Sequence, residues 1–284
     1  MQFFIDHLSK SYDGKPVLKD IDFTFDDSKI YGLLGRNGAG KTTLFNALNR
    51  DITVDGGDFG LIRPEGSRGP IPPEDLGYVL STPQVPEFLT AREFLKFFLE
   101  INAKRVPVHR EVDEYFDDLR IEPADRDRLL KDYSQGMKNK MQMIVNIIAN
   151  PAVLLLDEPL TSLDVVVAEE MKQLLRSMKS GRVTILSTHL LDLAVGLCDE
   201  IVLLHDGRLQ EVPKSNLDDD DFKNRIIAAL SHGASLDSDA DAGPAADAAT
   251  GAEITADAVA VAEAPVSDEN PHPAPTLDRG GEHA

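Results

Sequence analysis

The stretch that most restricts this chain is Gly35-Arg36-Asn37-Gly38-Ala39-Gly40-Lys41-Thr42, which satisfies G-x-x-x-x-G-K-[ST]. Its setting narrows the reading further. The apolar run at residues 30–34 precedes it, and a helix-like segment at residues 42–48 follows. An apolar strand, a glycine-rich loop and a helix, in that order, are the parts of a phosphate-binding loop. Glycines let the backbone wrap closely around a phosphate. Successive amide N–H groups and the helix N-terminus supply partial positive charge. Lys41 is expected to reach the β- and γ-phosphates, and the Thr42 hydroxyl to ligate Mg²⁺. The motif specifies a nucleoside triphosphate but not the machine built around it.

The rest of the first 230 residues alternates strand-like and helix-like segments. Residues 153–156 and 183–187 are continuous apolar runs, as strands covered on both faces should be. Residues 201–204 and 209–212 flank Asp206-Gly207, a hairpin signal. Residues 138–150 and 164–180 read as helices. Residues 90–131 read as mainly helical, with Phe94, Leu95, Phe97, Phe98 and Ile101 forming an apolar face. The pattern is an α/β core with a helical insertion. Met137, Met141 and Met143 read as core filling, and Cys198 as a small buried hydrophobe.

Bulk properties exclude several classes. The net charge of -20 argues against broad attraction to nucleic acid or anionic lipid. With Cys198 as the one cysteine, no intramolecular disulfide and no cysteine-cluster metal site can form. The opening MQFFIDHLSKSYDGK lacks the design of a secretory signal, and the apolar runs are too short to span a bilayer. A cytoplasmic chain, attached to a membrane only through a partner, is expected. Residues 231–284 are rich in Ala, Asp, Glu, Pro, Gly and Ser, with Arg279 as the lone basic residue. Such a segment buries too little apolar surface to offset its ordering entropy. A disordered acidic, Ala-rich tail is expected there.

Other motifs follow the phosphate loop in order. Tyr133-Ser134-Gln135-Gly136-Met137-Lys138 is similar to the signature L-S-G-G-Q and precedes a helical segment. Leu154-Leu155-Leu156-Asp157-Glu158-Pro159 looks like a Walker B strand with its adjoining glutamate. Ser162-Leu163-Asp164 matches a D-loop, and His189, after the apolar run 183–188, matches a switch histidine. With these motifs, residues 1–230 resemble the ATP-binding subunit of an ABC transporter. The resemblance implies a P-loop NTPase core of ABC ATPase type, with an N-terminal antiparallel β subdomain and a helical subdomain at about residues 85–150.

A carboxylate at the end of an apolar strand beside a phosphate loop is well placed to hold Mg²⁺, so Asp157 joins Thr42 as a metal ligand. Phosphoryl transfer needs an oriented water and charge stabilisation. Glu158 is the candidate to orient and polarise that water. The resemblance makes His189 the γ-phosphate sensor and, with Lys41 and Glu158, part of the catalytic set. It implies ATP contacts from Tyr12, stacked on adenine, and from Gly35, Arg36, Asn37, Gly38, Ala39, Gly40, Lys41, Thr42 and Thr43. It also implies that Ser134, Gln135 and Gly136 bind the γ-phosphate held by an opposite subunit, with Asp164 at the seam. One chain carries one phosphate loop and one signature, so two nucleotide-binding domains, in a homodimer or heterodimer, are expected to close head to tail.

The resemblance breaks at one position. Where the family has a glutamine after a strand of the form G-Y-[LV]-P-Q, this chain has Leu76-Gly77-Tyr78-Val79-Leu80-Ser81. Ser81 holds the aligned position, and Gln84 is the alternative. The cofactors implied are ATP and Mg²⁺. The partner implied is an integral membrane permease, with the subunit on the cytoplasmic face of the membrane and no nucleic acid involved. The S-Q-G-M-K variant of the signature resembles exporter subunits. Phe88, Phe94 and Phe98 read equally as exposed contacts for the permease or as core of the helical subdomain. The rival readings are a soluble ABC ATPase and an ATP-dependent switch not coupled to transport.

Overall fold

Buried aromatic and aliphatic side chains build the first layer. β1 (Gln2–Tyr12) buries Phe3, Ile5 and Leu8, and β2 (Lys15–Asp26) buries Leu18, Ile21 and Phe25. In the computed structural model of the chain these strands pair antiparallel. After β3 (Lys29–Leu34) and α1 (Lys41–Leu48), β4 (Gly56–Ile62) and β5 (Arg68–Gly69) complete an antiparallel sheet of order β2-β1-β4-β5. The described residues are 1–213, without 105, 107–109 and 162, together with 223, 224, 226 and 227. The chain divides into Met1–Ala240 and Asp241–Ala284. The tail expected at 231–284 lies outside the described residues, as does Ser162.

The second layer holds the site. β6 (Leu76–Val79) is followed by α2 (Ala91–Ile101), α3 (Val112–Asp118), α4 (Pro123–Arg126) and α5 (Gln135–Ala149). Then come β7 (Val153–Asp157), α6 (Val165–Ser177), β8 (Val183–Thr188), α7 (Leu191–Leu197), β9 (Glu200–His205) and β10 (Arg208–Val212). The sheet order is β10-β9-β3-β8-β7-β6, parallel except for β10. Asp206 (φ 45°) and Gly207 (φ 76°) form the tight turn between β9 and β10.

Two cores explain the continuous apolar strands. Val153 and Leu155 of β7 join α1 and the antiparallel sheet in one core. Leu154 and Leu156 join Met171, Leu175, Ala194 and Leu197 of α6 and α7 in the other. Each such side chain contributes roughly 1.5–3 kcal/mol on burial. Gly32 lets α7 lie close on β3, because a Cβ there would stand 3.0 Å from Cys198 Sγ. Cys198 is buried, as expected.

The helical insertion has its own core, including Leu95, Phe116, Leu130, Met141 and Ile144. Its entry is fixed by a capping box between Thr90 and Glu93. Met141 and Met143 are buried, and Met137 packs at the rim of the helical core. One expectation fails here. The apolar face of α2 is narrower than the sequence suggests: Leu95 is buried, Phe94 and Phe98 pack on the core, but Phe97 and Ile101 face solvent. Of the three phenylalanines read equally as permease contacts or as core, Phe88 is exposed, whereas Phe94 and Phe98 pack partly buried on the helical core. Among the described residues, no helix is long and apolar enough to cross a membrane.

Candidate nucleotide-binding site

The loop from β3 to α1 takes the shape its glycines allow. Gly38 (φ 82°) and Gly40 (φ 105°) are left-handed. A Cβ on Gly40 would stand 3.0 Å from Val17 Cγ1. α1 starts with no side-chain cap, so no side chain occupies the amides of its first turn. Lys41 is buried, and its Nζ donates to Gly35 O at 2.7 Å and Arg36 O at 3.3 Å. The ammonium lies across the mouth of its own loop, 3.6 Å from Glu158 Oε1.

The ends of β7 and β8 bring the acids to this loop. Thr42 Oγ1 donates to Asp157 Oδ2 at 2.9 Å, and Ser187 Oγ donates to Asp157 Oδ1 at 2.6 Å. The Asp157 carboxylate is therefore buried, hydrogen-bonded on both oxygens and fixed in direction. Glu158 follows with φ 49°, unusual for a residue with a side chain. This backbone costs on the order of 1 kcal/mol or more and persists only if its surroundings hold it. They do: Glu158 N donates to Ser187 Oγ at 3.1 Å, and Thr161 Oγ1 donates to Glu158 Oε2 at 2.8 Å. His189 Nδ1 lies 3.0 Å from each Glu158 carboxylate oxygen. Burial, then the negative charge of Asp157, pushes the Tyr78 phenol above its ordinary range.

These groups line one open cleft of about 520 Å³. Its walls include Arg36, Asn37, Gly38, Gly40, Lys41, Thr42 and Thr43 from the loop, Asp157 and Glu158 from β7 and its end, and His189. Tyr12, Val17, Ser81 and Thr161 complete it. Gly35 and Ala39 shape the loop without lining the cleft. Tyr12 is half-exposed at the rim, its ring 5.2 Å from Lys10 Nζ. Of the two candidates after β6, Ser81 reaches the cleft, and Gln84 is exposed and does not.

Ser134, Gln135, Gly136 and Asp164 also lie outside it. Ser134 caps α5, accepting from Met137 N at 3.3 Å, and Gln135 is exposed in the first turn. Asp164 caps α6, accepting from Val166 N and Val167 N.

Sequence reasoning missed Ser187, Thr161 and Val17. Ser187 had a signal: a serine closing an apolar strand beside Thr188 and His189 has a hydroxyl that must find a partner at the site. The residues fit Mg-ATP on their own chemistry. Thr42 and Asp157 present paired hard oxygen donors of the kind Mg²⁺ takes. The left-handed glycines leave a backbone cradle that a side chain would fill.

Residues 18–161 match the family model described as ABC transporter. The chain is 33% identical over 206 residues to an uncharacterized ABC transporter ATP-binding protein of Methanocaldococcus jannaschii, covering 72% of this chain and 74% of that one. It is 30% identical over 226 residues to the bacitracin transport ATP-binding protein BcrA of Bacillus licheniformis, covering 74% and 69%. A solved ATP binding subunit of an ABC transporter superimposes with a TM-score of 0.64 at 26% identity, covering 84% of this chain and 97% of that one. The chain belongs to the ABC transporter family and is one of its ATP-hydrolysing nucleotide-binding subunits.

Proposed function

We propose that this subunit holds Mg-ATP in the cleft between Lys41 and His189 and that its hydrolysis there powers export through a separate membrane-spanning permease. The observation that carries the reading is the fixing of Glu158. Its left-handed backbone, its amide bond to Ser187 and its contacts with His189 and Thr161 aim a carboxylate at the mouth of the phosphate loop.

The roles follow from position. The loop amides and Lys41 bind the phosphates. Thr42 and Asp157 would hold Mg²⁺, which when bound neutralises charge building on the phosphate oxygens. Glu158 orients a water and accepts its proton, and His189 steadies that carboxylate and meets the γ-phosphate. Tyr12 stacks on adenine at the rim. Ser81 stands where it can bond the attacking water or the γ-phosphate.

Ser134, Gln135, Gly136 and Asp164 serve a second nucleotide-binding domain. They lie off this cleft, on helix N-termini that favour an anion. Two domains then close head to tail over two ATP molecules. The subunit works on the cytoplasmic face of the membrane, held there by its permease. Similarity to a protein named for bacitracin transport supports the transport role, and the S-Q-G-M-K signature supports the export direction.

The rival reading, a switch that binds ATP without turning it over, is favoured by Ser81 in place of glutamine. Phosphate release separates the two. Wild-type chain should release phosphate from Mg-ATP, and Glu158→Gln should lower kcat by about 10²–10³-fold with ATP affinity kept. Wild-type turnover no faster than that of Glu158→Gln would leave the switch as the better account.

A further inference from the structure

The chain at Ser81 has little of its own to hold it. The pairing of β6 with β7 ends at Val79 opposite Leu156, and Ser81 itself is exposed. Leu80 therefore leaves the sheet with a backbone N–H and C=O one residue past the last pair. Both meet one buried side chain. In the amide orientation that satisfies its surroundings, Gln142 donates to Leu80 O at 3.3 Å and accepts from Leu80 N at 3.0 Å. A two-point bond of this kind fixes direction as well as distance.

The other end of the contact is as firm. Gln142 lies on α5, about two turns from the helix start. One turn further on, Asn146 Nδ2 donates to Gln142 O at 2.9 Å. Gly77 of β6 permits the close approach, because a Cβ there would stand 2.8 Å from Asn146 Oδ1 and 2.9 Å from Pro151 Cγ. The same helix begins at Ser134, Gln135 and Gly136. One 15-residue helix thus joins the signature at its N-terminus to the backbone that leads into Ser81.

We infer that Gln142 is a positioning residue: its amide clamps Leu80, sets where Ser81 stands in the nucleotide cleft, and makes that loop follow the signature helix. The inference rests on the reading that Ser81 acts beside the nucleotide. An amide is suited to the task because it offers a donor and an acceptor side by side in one plane at every pH. A methionine of the same length would fill the space and hold nothing.

The test is a double-mutant cycle on the full chain, reading Mg-ATP turnover, KM for ATP and thermal midpoint for Gln142→Met, Ser81→Ala and the pair. Gln142→Met should lower kcat about tenfold, with KM changed by less than about twofold, as expected for a group that orients rather than binds. The double variant should be no slower than the slower single variant, since the clamp acts through Ser81. Gln142→Glu supplies a readout that packing alone would not move. Its protonated carboxyl reproduces both bonds and its carboxylate loses the donor, so its turnover relative to wild type should recover as pH falls. That comparison also serves if Gln142→Met folds poorly. If Ser81→Ala slows turnover but the two losses multiply, or Gln142→Glu shows no relative recovery, the clamp is wrong and the Ser81 reading stands. If Ser81→Ala leaves turnover unchanged, both fall.

Discussion

The phosphate-loop face and the signature face of this chain are built on opposite principles. On the first, Lys41, Asp157, Glu158, Ser187 and His189 hold one another through bonds of 2.6–3.6 Å, and Lys41 and Asp157 are buried. On the second, among the described residues, Ser134 and Asp164 bond only the first turns of their own helices, and Gln135 is exposed. Beside Asp164, Val165 and Val166 are 85% and 67% exposed, an apolar pair at a helix start. One face is preorganised by the fold, and the other stands open. The difference teaches that burial and mutual bonding separate a face fixed by its own chain from one that, on the proposed function, a second domain would complete.

The sharpest way to break this comparison is to separate the two faces onto different chains. Lys41→Ala disables the first face and Gly136→Asp the second, where a carboxylate would oppose an incoming phosphate. Each variant alone should lose about 10²-fold or more in turnover. In a self-pairing chain, mixing them should restore roughly a quarter of wild-type turnover, since half the pairs are mixed and each mixed pair holds one intact site. Phosphate release from the mixture measures it. No restoration, with wild-type dimerisation intact, would mean that the signature face does not serve a partner's nucleotide.

A smaller effect sharpens the first half of the contrast. Ser187→Ala removes the donor to Asp157 Oδ1, which is buried, and the acceptor for Glu158 N, which is partly buried. Unpairing them should cost about 1–3 kcal/mol of stability. Turnover should fall about tenfold as the Glu158 carboxylate loses its aim. Denaturant unfolding and kcat measure the two. The signature-face counterpart, Ser134→Ala, should lose only a cap, about 1 kcal/mol.

How much of this was legible in the sequence follows the same divide. The phosphate loop, β7 and β8 could be read because spacing and two-sided burial leave a direct mark on residue order. So could the meeting of Asp157, Glu158 and His189 at the cleft. Ser187 could not be separated from an ordinary strand end, because a buried hydroxyl needs a named partner before it means anything. The left-handed backbone at Glu158 leaves no trace, since no glycine announces it. Gln142 was invisible for a related reason: a polar residue in a helix reads as solvent-facing, and only the passage of β6 beneath α5 turns it inward. On α2 the stripes at Phe94–Phe98 and Phe97–Ile101 are both one helical turn apart, so periodicity alone could not choose the buried one.

The last contrast concerns what holds each region together, and acid should expose it. The β7–β8 core is apolar on both faces, whereas the surface of the helical insertion is laced by ion pairs. Arg92 bonds Asp113 and Asp127, and the buried Arg126 bonds Asp113 and Asp117, both guanidiniums lying against Phe116. Hydrogen bonds from Arg92 and then Arg126 hold the Asp113 carboxyl below its ordinary 3.8. A carboxyl depressed in the folded state supports the fold above its unfolded pKa and withdraws that support as pH falls through the folded value. Below about pH 4, therefore, α2–α4 should lose hydrogen-exchange protection before β7 and β8 do, and added salt should move the onset upward. Asp113→Asn should shift the helical onset and leave the sheet unmoved. The effect is small because these carboxylates are exposed and screened. If both regions lost protection together at every pH, the helical insertion would be held by its apolar core alone, and the ion pairs around Phe116 would be surface ornament to a single cooperative unit.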